Sequence, residues 1–279
     1  MLNIRLLTPV SLLPMSLLIA AATLAPAAAQ ELAPHRAVYA VSALDRGKPG
    51  TGTSGTYAYE LKLTCDGGYV VNQRLRLETA GGRGAAASEQ QSQMTESRDG
   101  KKLRFEHRTS TGGRQTSLVK GEALIGDDGK GEARFTDPEG QTVALPATTL
   151  FPVAIARETI RQAKAGEQGF DAQFFFGEKV KPPQSVNILI GKLPKRLADV
   201  KIPEGGEQLA DGRTRIYYRA GFFDAQADGK GKGQGEPAYE MSSVTLDNGV
   251  ELYGTHEESD GGIEYRITRL EPLPKPECK

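Results

Sequence analysis

The sequence predicts a mainly β protein, an antiparallel sandwich or barrel with one substantial helix. Three observations carry the prediction. Short segments place apolar residues at every second position, turn-forming Gly and Asp clusters separate them, and the period lengthens to that of a helix only at about residues 149–165. A sheet of that many strands hides its edges by curling into a closed or nearly closed barrel, which leaves an interior able to hold a ligand.

The first thirty residues read as an export address. Arg5 is the only charged side chain, an apolar run extends from Leu6 to Leu24, and Ala27 and Ala29 put small side chains where a signal peptidase requires them. A signal peptide over residues 1–29, cleaved after Ala29, is the expectation. Pro9 and Pro14 interrupt the run and no basic cluster follows it, which disfavours a membrane anchor; no Cys follows the small-residue box, which argues against a lipoprotein. No later segment approaches the roughly 20 apolar residues of a spanning helix. The mature chain, 30–279, is expected to be one soluble domain in an oxidising compartment, the bacterial periplasm.

Along that domain Tyr57, Tyr59, Leu61 and Leu63 alternate with polar neighbours, Asp66-Gly67-Gly68 turns the chain, and Val71, Leu75 and Leu77 return it. The same unit recurs. Residues 88–97 turn at Arg98-Asp99-Gly100-Lys101 toward Leu103 and Phe105, residues 114–125 turn at Gly126-Asp127-Asp128-Gly129, and Ala133–Thr136 turn at Asp137-Pro138-Glu139-Gly140. In the helix Thr149 is placed to cap, Phe151 to staple and Pro152 to occupy the first turn. Val153, Ala156, Ile160 and Ala163 form its apolar stripe, Gly166 ends it, and Arg157, Glu158, Arg161 and Lys164 take the opposite face. Further strands are expected at Phe170–Phe176, Ser185–Ile190, Arg213–Tyr218, Tyr239–Leu246, Val250–Thr255 and Ile263–Leu270, with a flexible glycine-rich loop at 228–237.

Cys65 and Cys278 are the only thiols, 213 positions apart. An oxidising compartment favours a bond between them; two buried free thiols, or pairing of Cys278 with another chain, are the alternatives. Pro272, Pro274 and Pro276 make the terminal segment an extended strap. No C-x-x-C suggests a redox role.

Chemistry is harder to find. Basic and acidic residues both number 35, so the chain lacks the electrostatic footprint of a nucleic-acid binder. Residues 50–55 spell G-x-G-x-x-G, but a strand follows where a dinucleotide site needs a helix, and a flexible loop is expected. The Gly/Lys repeat at 229–235 lacks the ending of a phosphate loop. His35, His107 and His256 have no ligand spacing, and His256-Glu257-Glu258 lacks the second His of a zincin and is expected to lie in a turn. No G-x-S-x-G elbow exists. Neither a catalytic residue, a cofactor nor a metal is assigned. Lys179, Lys181, Lys192, Lys195, Arg196 and Lys201 concentrate positive charge; Lys192, Lys195 and Arg196 are the candidate surface for anionic envelope components. The competing reading is a solvated surface balanced by Glu251, Glu257, Glu258 and Asp260.

Leu32-Ala33-Pro34-His35-Arg36-Ala37-Val38-Tyr39, Cys65-Asp66-Gly67-Gly68-Tyr69, Leu150-Phe151-Pro152 before a lone helix, Pro237-Ala238-Tyr239-Glu240, Asn248-Gly249-Val250 and terminal Cys278, behind a signal peptide, together resemble the cell envelope integrity protein B family of alphaproteobacteria. The resemblance spans nearly the whole mature chain. It implies a periplasmic protein whose single antiparallel curled sheet forms a β-spiral or broken barrel, with Cys65 bonded to Cys278, a role in envelope maintenance under stress, and no enzymatic activity. The turn after Cys65 carries an extra glycine, and the helix lacks the histidine expected a few residues after Pro152. The expected function is non-catalytic support of the envelope through an unidentified protein partner or a lipid or peptidoglycan component. A lipid or lipoprotein carrier with an apolar interior is the alternative, and a cell-wall hydrolase the more distant rival.

Overall fold

Alternating burial builds the first half of the sheet. β1 (His35–Ala43), β2 (Gly52–Leu63), β3 (Tyr69–Ala80), β4 (Ala86–Glu96), β5 (Lys102–Thr111), β6 (Arg114–Ile125), β7 (Gly131–Asp137) and β8 (Glu139–Leu145) form an up-and-down meander. The second half comprises β9 (Thr149–Leu150), helix α1 (Pro152–Lys164), β10 (Gly169–Phe174), β11 (Gln184–Gly191), the short helices α2 (Lys195–Ala198) and α3 (Glu207–Ala210), then β12 (Arg215–Phe223), β13 (Tyr239–Leu246), β14 (Glu251–Glu258) and β15 (Gly261–Pro272). The computed structural model describes residues 31–44, 52–80, 86–225, 235–259 and 261–278; residues 1–29, expected to be a signal peptide, and residues 228–234 of the glycine-rich loop lie outside them.

All fifteen strands among the described residues belong to one sheet. Each pairs with its neighbour in sequence, antiparallel except β9 with β10, and the last strand pairs with the first: His35 stands opposite Pro272 and Ala43 opposite Ile263. The sheet therefore nearly closes through its termini and breaks at mid-chain, where β8 and β9 are both edges. The break overlaps rather than gapes. After β10, Phe175 packs against the inward rings of Phe105 and Phe135, and His107 Nε2 lies 3.0 Å from the Phe176 carbonyl. A Cβ on Gly177, which has φ +83°, would stand 2.8 Å from the Phe105 ring. One edge is thus rolled inside the other, the broken barrel that the family resemblance implies.

Strand direction puts the β2–β3, β4–β5 and β13–β14 turns at one end of the barrel, and α1 lies across that end. Its first turn meets Glu96, the last residue of β4, and Lys164 near its end pairs with Asp247 after β13 at 3.4 Å. Thirteen residues span about 20 Å. Val153 and Ile160 are buried in one cluster with Leu61, Met94, Leu103 and Ile216, so the predicted apolar stripe faces inward. The start of the helix departs from expectation. Thr149 belongs to β9, its Oγ1 is buried without a partner, and no side chain at the N-terminus caps the helix. Glu96 performs that task from a distant strand, accepting from Val153 N at 2.8 Å and Ala154 N at 2.7 Å.

Tertiary burial accounts for the largest remaining departure. The 192–214 connection, whose Lys192, Lys195, Arg196 and Lys201 read in sequence as a charged surface, lays Leu197 of α2 and Leu209 of α3 over the outer face of β13 and β14, against Val244, Leu246, Leu252 and Tyr253. Both faces of these strands are consequently buried, from Ser242 to Leu246 without interruption, which is why they alternate poorly in sequence. Arg215 fastens the cover by donating to the carbonyls of Ala198 and Val200. β12 runs on to Phe223, beyond the expected Tyr218. Gly52–Gly55, read as loop, begins β2, and His256-Glu257-Glu258, read as a turn, completes β14; residues 50 and 51 lie outside the described segments.

Candidate functional site

Period two turns His35, Ala37, Tyr39 and Val41 of β1 inward, and the register of neighbouring strands assembles aromatic rings around them. Tyr57 lies opposite Tyr39, Tyr59 opposite Ala37, and Tyr265 opposite Val41. Tyr57 stacks on Tyr39 with ring centroids 5.3 Å apart and meets the edge of Tyr265 at 5.8 Å; Tyr59 lies 6.4 Å from Tyr57. Gly254 makes room for this packing, because a Cβ there would stand 2.2 Å from the Tyr265 ring. Tyr218 of β12 reaches the same interior opposite Ser243.

Glu251 stands among these phenols. Gly249, at φ +90°, closes the β13–β14 turn, and a register shift beside Val244 and Thr245 aligns Thr245 with Glu251 on the inward face. Ser243 Oγ donates to Glu251 Oε1 at 2.5 Å and the Tyr265 hydroxyl to the same oxygen at 3.3 Å; the Tyr39 hydroxyl donates to the Glu251 carbonyl at 2.9 Å. Burial pushes the carboxyl up to about 7, partly offset by its two donors. Burial likewise raises the phenols of Tyr39, Tyr57, Tyr59, Tyr218 and Tyr265, so they remain protonated donors. Tyr39 and Tyr265 are 1% and 7% exposed, whereas Tyr57, Tyr59, Tyr218 and Glu251 are partly accessible. Solvent therefore reaches the middle of the barrel. Inward-facing Leu75, Leu77, Met241 and Ile263 are also partly accessible, toward the end that α1 does not cover.

The other buried titratable groups have structural partners. Glu96 caps α1, and burial holds its carboxyl at about 7 against those amides and the more distant Arg157. His107 bridges Ser92 Oγ at 2.8 Å and the Phe176 carbonyl, fastening the inner edge; burial lowers it to about 4. His35 is lowered to about 4 by burial and turns Nδ1 to the Ala33 carbonyl at 2.7 Å, while Nε2 has no partner. His256 stacks on Tyr239.

Cys65 and Cys278 form a disulfide, with Cα atoms 5.5 Å apart, that ties the β2–β3 turn to the terminal strap. Lys192, Lys195 and Arg196 are exposed on the outer cover, but the six-residue basic cluster does not assemble. Lys179 and Lys181 precede β11 and Lys192 follows it, so they leave opposite ends of the strand, and Lys181 lies 3.8 Å from Asp224. Glu251, read as part of the acidic surface, points into the barrel instead. On the outer face of β1–β5 a shallow groove of about 490 Å³ is lined by Arg36, Glu60, Arg74 and Glu106 among others. Arg36 pairs with Glu60 and Arg74 with Glu89, so this is a solvated, ion-paired surface.

Fold and site together define a broken antiparallel barrel with one end plugged by a helix and a solvent-reached tyrosine and carboxylate interior. Over residues 26–258 the chain matches the family described as EipB-like, and it belongs to that family. It is 26% identical over 250 residues, 88% of this chain and 86% of the other, to the cell envelope integrity protein EipB of Brucella abortus (strain 2308). The crystal structure of a beta-barrel-like protein of domain of unknown function DUF1849 from Brucella abortus superposes with a TM-score of 0.75 at 22% identity, covering 88% of this chain and all of that one. No helix among the described residues is long and apolar enough to cross a membrane.

Proposed function

We propose that this chain is an exported, non-catalytic periplasmic protein that supports cell envelope integrity by taking an amphipathic envelope molecule into the barrel interior. The observation that carries the reading is the partial accessibility of Tyr57, Tyr59, Tyr218 and Glu251 in the middle of a barrel whose helix covers one end. Rings offering apolar faces and hydroxyl donors suit a molecule with an apolar body and a polar head. The disulfide fits an oxidising compartment, and the relative named for envelope integrity supplies the biological setting. The non-catalytic reading rests on the structural partners of Glu96, His107, Cys65 and Cys278.

Native mass spectrometry after detergent-free purification from the periplasm tests the interior. Adducts of lipid mass, regained when stripped protein meets an envelope lipid extract, are the expected result; bare polypeptide mass in both preparations would refute it. Lys192, Lys195 and Arg196, exposed beside the outer cover, are the proposed contact with anionic envelope surfaces. Reversing all three to Glu is expected to weaken cosedimentation with anionic vesicles at low salt, and unchanged cosedimentation would remove that role.

A further inference from the structure

We propose that the barrel interior receives an ammonium group, primary or quaternary, between the Glu251 carboxylate and the faces of Tyr57 and Tyr59. The inference rests on the interior-binding reading and specifies the head group that reading leaves open.

Charge is the first argument. Of the side chains that strand register turns inward, three are carboxylates, Glu96, Glu251 and Glu258, and none is Lys or Arg; Glu258, at the far end of β14, lies against His256 of the same strand face. Glu96 is occupied by the amides of α1. Glu251 forms no ion pair among the described residues, and its two side-chain donors, Ser243 and Tyr265, both engage Oε1. A buried carboxylate is stabilised by an opposite charge that enters the same low-dielectric space. The barrel supplies none of its own at this position.

The rings are the second argument. A cation within about 6 Å of an aromatic centroid is attracted to the ring face, the more strongly when desolvated. Tyr57 is held by stacking on Tyr39 and by the edge of Tyr265, and Tyr59 by the His35 ring at 5.4 Å, so both rings are fixed in advance yet remain partly accessible. His35 adds an acceptor. With Nδ1 donating to Ala33, its unpartnered Nε2 carries a lone pair beside Tyr59. Acceptors and ring faces suit an N–H or N–CH3 cation and disfavour a phosphate at the same place.

Proton linkage gives the inference a second readout. The groups facing Glu251 are Ser243 on β13, Tyr265 on β15, Tyr39 on β1, Tyr57 and Tyr59 on β2, and Tyr218 on β12; the phenols do not ionise below pH 9 because burial raises them all. Beyond Tyr59, His35 is neutral above about pH 4 and Glu96 titrates near 7 against the helix amides. An ammonium must therefore displace the Glu251 proton, and affinity should fall about tenfold per pH unit below about 7.

The chain has no Trp and five of its nine Tyr line the site, so tyrosine emission follows the titration. The full mature protein is titrated with choline, ethanolamine, chitotriose, and short-chain phosphatidylcholine and phosphatidylglycerol below their micellar concentrations. Expected are binding of the ammonium compounds, at least tenfold preference for phosphatidylcholine over phosphatidylglycerol, at least tenfold loss in Glu251→Gln with unchanged circular dichroism, loss in Tyr57→Leu, and retention in Tyr57→Phe. Free choline binding as tightly as phosphatidylcholine would assign a soluble amine; tighter binding of the lipid would assign a membrane head group. Equal binding of the two lipids, or chitotriose binding indifferent to Glu251→Gln, overturns the ammonium site while leaving interior binding intact. Failure of every lipid and amine to bind overturns both.

Discussion

Replacing Cys65 and Cys278 together with Ser is expected to cost about 5 kcal/mol of stability, on the chain-entropy treatment of a loop of 213 residues. That cost is comparable with the whole stability of an ordinary domain. The fold makes the loss larger in consequence than a local staple would. β1 and β15 close the sheet from opposite ends of the chain, and this pairing joins residues that the unfolded chain brings together least often. The disulfide joins the turn after β2 to the strap after β15, so it holds the same two regions together when the ladder opens. Urea unfolding of the double variant, compared with the oxidised protein, measures the effect. A decrease smaller than about 1 kcal/mol would show that strand pairing alone closes the barrel.

Glu96→Ala is expected to cost about 3 kcal/mol, because it leaves the Val153 and Ala154 amides without their charged acceptor in a buried site and opens a cavity under α1. Glu96→Gln separates the charge from the contact. The raised carboxyls, Glu96 and Glu251 at about 7, bind protons more tightly in the folded state; their stability contribution is full below about pH 4.5 and lost as pH rises through 7. His35 and His107, lowered to about 4, act oppositely, contributing stability above about 6.5 that is lost as pH falls through 4. Two groups of each kind cancel, so the native protein should be nearly level between about pH 4.5 and 6.5 and weaken above it. Glu96→Gln removes one falling contribution, and its stability should rise by about 1.4 kcal/mol per pH unit across that window. Melting temperatures of both proteins at half-unit intervals decide the point; parallel curves would mean that Glu96 does not titrate there.

The sequence was readable where one face of an element meets water. Tyr57 to Leu63 alternates because the outer positions of β2 are solvated, and the α1 stripe is clear because Arg157 and Arg161 look outward. Legibility failed wherever a distant segment supplied the missing surface. α2 and α3 bury the outer faces of Val244 and Tyr253, which erases alternation in β13 and β14, and the cap of α1 comes from Glu96, which no local pattern announces. The site suffered the same limitation. Tyr57 and Tyr59 were already visible on one strand face, but Glu251 counted as a surface acid until the register shift aimed it inward. Its position between Val250 and Leu252, both fully buried, was the available signal.

The placement of the seam has a mechanical consequence. No inter-strand ladder joins β8 to β9, and the overlap is held by rings and by the His107 bridge to Phe176. At that margin the girth of the scroll is therefore fixed by side-chain packing, without a single rung of strand pairing between β8 and β9.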